Sequence, residues 1–253
     1  MKKRLFIPVL VLLTVIFCGC ASEKGFYPLL SVEGDVDNAI SFSAIENDFE
    51  LRDYTYDDIK YNGYELTDIL TAAGVRSENS KIYLMSSDGM MAALDYADLD
   101  QNYITFSEKG WEAMNIDYPP SGDVKEIKKI VVADQNEKPE YALVVKTAGD
   151  SETVLTCGRM LSGDQTVARK EEGTNEKNSK KVTVYTSVSG YYIPDYLGVS
   201  GKALVNIGDS RGKNAFYYAD GYLVPGGNMI NYLSLTDKET IEDIRSLSLQ
   251  TGN

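Results

Sequence analysis

Histidine is absent from all 253 residues. That removes the usual base of serine and cysteine hydrolases, the imidazole ligands of zinc and haem, and the side chain that titrates near neutrality. Cysteine is nearly absent. Of the three, Cys18 and Cys20 close the N-terminal apolar run and only Cys157 lies in the body of the chain, so that body can form no internal disulfide. No Walker A pattern and no Cys-x-x-Cys pair occur. Gly208-Asp-Ser-Arg-Gly212 spells Gly-x-Ser-x-Gly, but with no histidine to serve it, it reads as a polar turn between strands. Basic residues are outnumbered, 25 to 38, giving a formal charge of −13. Nucleic acid and anionic lipid headgroups are therefore not expected as partners, because both are recognised by clustered Lys and Arg.

The longest apolar run is at the start. Lys2, Lys3 and Arg4 precede Leu5–Phe17, which is shorter than the ~20 residues a membrane span requires and reads as a secretory signal. It ends Phe17-Cys18-Gly19-Cys20, with Gly at −1 and Cys at +1 as in a bacterial lipobox, although Phe17 departs from the usual leucine. The expectation is a signal peptide over 1–19, lipidation at Cys20, a tether over 20–29, and a folded part held by its lipid anchor on the extracytoplasmic face of the cell membrane. Loss of Lys2, Lys3 and Arg4 would leave 22 basic residues against 38 acidic, a charge near −16.

The most patterned stretch is Tyr61–Leu94. Asn62-Gly63 signals a turn, Leu66, Ile69, Leu70 and Ala73 recur at helical spacing, and Gly74 falls where a helix C′ glycine belongs. Lys81–Ser86 is strand-like, Asp88-Gly89 is a hairpin dipeptide, and Met90–Leu94 returns as a second strand. Ala39–Ala44, Tyr103–Phe106 and the run Ile127, Ile130, Val131 and Val132 also read as strands, the last of them interior. Asp95–Asp100 crowds three carboxylates but lacks the glycine and glutamate of a calcium loop, so it reads as a solvated short helix. Trp111, the only tryptophan, reads as a core residue.

Gly63, Leu66, Asp68, Leu70, Ala72-Ala73-Gly74-Val75 and Ser87-Asp88-Gly89 together resemble the oxidoreductase molybdopterin-binding domain of the sulfite oxidase type. Leu30–Val36, Ala93–Leu99 and Pro120–Val132 extend the likeness over about residues 30–134. The resemblance implies an α+β fold, a mixed β-rich unit of the sulfite-oxidase molybdopterin-domain kind. In that family a cysteine ahead of the Gly-x-x-Leu helix ligates molybdenum, a metal suited to soft thiolates. No cysteine lies between Val36 and Tyr61, and Arg52 and Arg76 are the domain's only arginines. What the resemblance implies here is the scaffold without its cofactor: a degenerate, non-catalytic binding or accessory module for an unidentified protein or small molecule. By analogy with the family pocket, its binding rim would comprise Tyr64, Ser87, Asp88, Gly89 and Trp111.

Residues 135–253 read as a second β-rich unit. Gln135–Pro139 is a polar joint, Tyr141–Lys146 and Thr153–Cys157 form a hairpin, Ala168–Lys181 is a hydrophilic loop, and Val182–Thr186 is a strand. A capping box, Thr236-x-x-Glu239, precedes Ile241, Ile244 and Leu247 and predicts a closing surface helix. Gly190-x-x-Ile193-x-Asp195-x-Leu197 echoes Gly63-x-x-Leu66-x-Asp68-x-Leu70, and Asp220-Gly221 echoes Asp88-Gly89. The unit is then either a diverged second copy or a chance echo in a chain rich in Tyr and Gly; the tyrosines around it are a candidate binding surface. Cys157 keeps two readings. One is a small apolar strand residue. The other, tied to the second copy, is a molybdenum ligand with Arg159 near a phosphate, which would make the chain an extracytoplasmic molybdopterin-dependent oxidoreductase.

Overall fold

The computed structural model describes residues 27–56, 58–99, 101–115, 123–147, 151–163, 166–174 and 181–250. The first unit comprises β1 (Leu30–Gly34), β2 (Ile40–Phe42), β3 (Leu51–Tyr56), β4 (Ile59–Glu65), α1 (Leu66–Ala73), β5 (Ser80–Ser86), β6 (Met91–Asp95), β7 (Asn102–Ser107), β8 (Gly110–Asn115) and β9 (Lys125–Asp134). These nine strands form one curled sheet, in which β9 pairs with β1 in parallel and with β5 and β8 antiparallel. Helix α1 buries Leu66, Ile69, Leu70 and Ala73. It stops at Gly74, whose φ of 72° is one that other residues adopt reluctantly, and whose N–H donates to the carbonyls of Leu70 and Thr71. Asp88-Gly89 joins β5 to β6, and Tyr96–Asp98 forms a single 3-10 turn.

The second unit comprises β10 (Leu143–Lys146), β11 (Glu152–Leu155), α2 (Cys157–Ser162), β12 (Thr166–Thr174), β13 (Lys181–Ser189), β14 (Tyr191–Tyr192), α3 (Ile193–Leu197), β15 (Leu204–Asp209), β16 (Asn214–Tyr218), β17 (Gly221–Gly226), β18 (Met229–Ser234), β19 (Thr240–Ile241) and β20 (Ile244–Leu249). Its strands make a five-stranded sheet in the order β11-β10-β20-β15-β16, a four-stranded sheet β14-β17-β18-β19, and the hairpin β12–β13.

The second unit repeats part of the connectivity of the first. β1 and β10 each make an antiparallel hairpin with the next strand and a parallel ladder with the unit's last strand. β5 and β15 each pair antiparallel with that last strand and with the strand that follows them. Even the irregularities recur. The ladder slips between Met85 and Ser86, where β9 passes from Lys129 to Ile127, and again between Gly208 and Asp209, where β20 passes from Ser246 to Ile244. Tyr64-Glu65 pair with Ile104-Tyr103 just ahead of α1, as Tyr191-Tyr192 pair with Leu223-Tyr222 just ahead of α3. These registers align Gly63 with Gly190 and Leu66 with Ile193, the alignment of the sequence echo. Asp220-Gly221 does not share it. That dipeptide leads from β16 into another sheet, and the counterpart of Asp88-Gly89 is the Asp209–Gly212 turn.

β9 lies between the two cores. Ile130 and Val132 face the first, with Leu30, Leu70, Ile82 and Trp111; Val131, on the opposite face, joins Leu143, Leu161, Ile207 and Leu247 in the second. Both faces are covered, so β9 reads as a continuous apolar run.

Four local expectations are corrected. Asn62-Gly63 lies inside β4, not in a turn; glycine there makes room for the Tyr54 ring, and the chain reverses nearer Asp58, which takes φ 62°. Most of the hydrophilic run 168–181 is strand, because β12 pairs along its length with the β-branched Val182, Thr183, Val184 and Val188 of β13. Cys157 opens a helix instead of ending a strand. The closing helix is replaced by β19 and β20. Ile244 and Leu247 share a face although three residues apart, because the bulge at Arg245 inserts a residue into an alternating strand and so mimics helical spacing.

Candidate functional site at the junction of the two units

The residues expected to form a rim do not form one. Tyr64 and Trp111 are 8% and 1% exposed and sit in the first core with their rings 6.1 Å apart, and the Trp111 indole N–H donates to the Pro28 carbonyl. Side chains sealed this way offer no face to a ligand. Ser87, Asp88 and Gly89 lie on the exposed β5–β6 tip, where the Asp88 carboxylate takes hydrogen bonds from Ser86 and the Met90 N–H that hold its pKa below the usual range. Cys20 lies outside the described residues. Cys157 and Arg159 are brought together on α2, which packs against β9 where the units meet.

That junction is organised by Asp35, which follows β1 and is fully buried. Its Oδ2 accepts from the Asp134 N–H at 2.8 Å and the Thr156 hydroxyl at 2.6 Å, and its Oδ1 from the Gly158 N–H at 3.1 Å. One carboxylate thus ties the end of β9 to the first turn of α2, where exposed helix N–H groups favour negative charge. Burial pushes its pKa up, outweighing the hydrogen bonds that favour the anion. Thr156 is the N-cap of α2, its Oγ1 accepting from the Arg159 N–H at 3.2 Å. Gly158 lies directly on β9, where a Cβ would fall 1.9 Å from the Val132 carbonyl oxygen.

Beside this hub opens a shallow polar cleft of about 560 Å³ between the β9 end and the 75–77 loop. Arg76 stands over the Tyr141 ring, 4.4 Å from its centroid, and its Nε donates to Asp37 at 3.3 Å. The Tyr141 hydroxyl donates to Asp134 Oδ2, and burial together with that bond raises the phenol above its ordinary pKa. Ser77 and Asn136 are joined by a 2.9 Å hydrogen bond. Sequence reasoning passed over Asp35, Arg76, Asp134 and Tyr141. The usable signal was an acid set among apolar strand residues, in Val32-Glu-Gly-Asp-Val36.

The cleft offers Arg76 and the Tyr141 phenol to a small polar ligand. The residues of α2 do not fit a molybdenum–pterin group. The Cys157 thiol is 4% exposed, donates to the Gly227 carbonyl at 3.6 Å, and is pushed up to about 12, chiefly by burial. Burial favours the protonated sulfur, whereas the ligand form is the thiolate. Arg159 spends its guanidinium on the backbone carbonyls of Asp134 and Asn136. In the first unit, Leu30↔Phe42 and Leu143↔Leu155 align Ser43-Ala44 with Thr156-Cys157, so alanine stands at the cysteine's place. Among the described residues no cluster of three or more Cys, Asp or Glu is placed to hold a metal ion, and no helix is long and apolar enough to cross a membrane.

No family model matches the sequence, and no curated protein matches it. Among solved structures, the chain is similar to the sulfane dehydrogenase SoxCD from Paracoccus pantotrophus, with 9% identity and a TM-score of 0.36 over 89% of this chain and 78% of that one.

Proposed function

We propose that this chain is a lipid-anchored, extracytoplasmic binding or accessory module, built from two copies of a unit resembling the sulfite-oxidase molybdopterin domain and working without that domain's cofactor. The observation that carries the reading is the state of the cysteine position in both units: alanine in one, and in the other a thiol packed against β9 and the Gly227 carbonyl. The binding face is the junction cleft around Arg76 and Tyr141, because it is polar, open, and held by a buried network that fixes its walls. The N-terminal lipobox-like run supports the anchor, and the excess of acid suits a domain held off an anionic membrane.

The test is metal and pterin analysis of protein beginning at Ser22, produced in a host that makes molybdopterin, alongside Cys157→Ala. The expected result is neither molybdenum nor pterin in either protein. Stoichiometric molybdenum that disappears in Cys157→Ala would replace this reading with an oxidoreductase.

A further inference from the structure

The repeat supplies an internal control for the surface. Bulge and register align Tyr83, Met85 and Val131 of the first sheet with Asn206, Gly208 and Ser248 of the second. In the first unit that face is apolar and covered, because all three residues pack into the second core. In the second unit it is polar and open. Val205, Ile207 and Leu247 turn to the core, so by alternation Asn206, Ser246 and Ser248 turn outward. Among the described residues none of these three side chains has a hydrogen-bond partner. The register sets Phe216, Asn206, Ser248 and Lys146 side by side across four strands, a row about 14 Å long at the usual strand spacing. Phe216 is 59% exposed at one end of it. Lys146 at the other end is paired with Glu152 at 3.2 Å, so the row carries no uncommitted charge.

From this face we infer that the second sheet binds a neutral glycan chain laid across its strands, one sugar ring stacked on Phe216 and its hydroxyls met by Asn206 and Ser248. A pyranose has a face of C–H bonds that suits an aromatic ring, and a rim of hydroxyls that both donate and accept, as an amide and a serine hydroxyl do. The first unit shows what a covering protein layer needs, and where it has Tyr83, Met85 and Val131 the second has an amide, a glycine and a hydroxyl. An ionic ligand finds no free counter-charge in the row, and a lipid tail would leave the amide and hydroxyls unsatisfied. Tyr218, 43% exposed on the same side, walls a shallow cavity of about 560 Å³ with Lys202 and Thr236 and gives the chain a second stacking ring. The proposed extracytoplasmic position is where such a ligand would be met; binding itself depends neither on the anchor nor on the junction cleft.

The test is native-gel electrophoresis of the Ser22-onward protein through soluble polysaccharides, with hydroxyethyl cellulose, dextran and glycol chitin as neutral probes and alginate as the anionic one. The expected result is retardation by at least one neutral probe. Affinity for that probe should fall about tenfold or more in Phe216→Ala, which removes the anchoring ring, and about threefold in Asn206→Ala, which removes one hydrogen-bonding group. Ile59→Ala, which removes a comparably exposed residue (54%) from the first unit, should be retarded like the wild type. Phe216→Tyr keeps the ring and should keep the binding, which leaves the test decisive if Phe216→Ala misfolds. No retardation by any neutral probe, retardation by alginate alone, or binding that Phe216→Ala leaves intact overturns the inference. An equal loss in Ile59→Ala shows general adsorption and overturns it as well. Its failure would leave the cofactor-free reading standing, because metal and pterin analysis decides that separately.

Discussion

The turn after β2 and the turn after β11 begin alike and end differently. In each, a buried hydroxyl accepts from the N–H three residues on: Ser43 from Glu46 at 3.0 Å, Thr156 from Arg159 at 3.2 Å. The next two residues are Ala44-Ile45 in the first unit and Cys157-Gly158 in the second. Ile45 is 62% exposed, and its turn stays at the surface. Gly158, having no side chain, lets α2 settle onto β9 and bring Cys157 inward with it. One missing Cβ thus separates an open turn from a sealed junction, and the sealing, more than the presence of cysteine, sets what the site can do.

Gly158→Val should break this comparison most severely. Its side chain would collide with the backbone of Val132 and Ala133, which cannot rotate away, so a loss of about 4 kcal/mol or more is expected by urea denaturation. Ile45→Val at the aligned position should stay within about 0.5 kcal/mol, as surface changes do.

Asp35→Asn comes next, at about 3 kcal/mol near neutral pH, because an amide cannot accept from all three donors and turns its own N–H₂ against one of them. The pH dependence sharpens the prediction. The folded-state pKa of Asp35 is raised, so the protonated group's contribution is complete below its ordinary pKa of about 3.9 and is lost as pH rises through the folded value. The stability of wild type over Asp35→Asn is therefore expected to shrink as pH climbs from about 4. A gap that widens over that range would show that the hydrogen bonds outweigh burial.

Smaller effects follow. Cys157→Ala should cost about 1–2 kcal/mol, for a small buried group whose removal leaves a void. Tyr141→Phe should cost about 1 kcal/mol, since Asp134 keeps the Asn136 N–H but loses the phenol. Both are read from the same denaturation midpoints.

Legibility in the sequence followed how local the cause was. Helix α1, its glycine stop, the β5–β6 hairpin and the interior strand β9 were legible because each rests on spacing or turn chemistry within about ten residues. The Gly190 motif was legible as an echo; strand register aligns it with the Gly63 motif and sets Asp220-Gly221 at another place. The closing strand β20 was misread because its bulge puts Ile244 and Leu247 on one face at helical spacing. The junction was hidden for another reason. Asp35, Asp134, Thr156 and Gly158 are spread over 123 residues of chain and meet only once both units have folded. Tyr64 and Trp111 were chosen by analogy with a family pocket, and the packing of the first core spends them on stability.

The rate at which the Cys157 sulfur is alkylated measures how completely the fold seals it. Native protein beginning at Ser22 would be treated with iodoacetamide at pH 8 across a urea series. No labelling is expected until the fold opens, with a labelling midpoint that coincides with global unfolding. Rapid stoichiometric labelling in the absence of urea, in protein that remains folded, would show an available thiolate and contradict it.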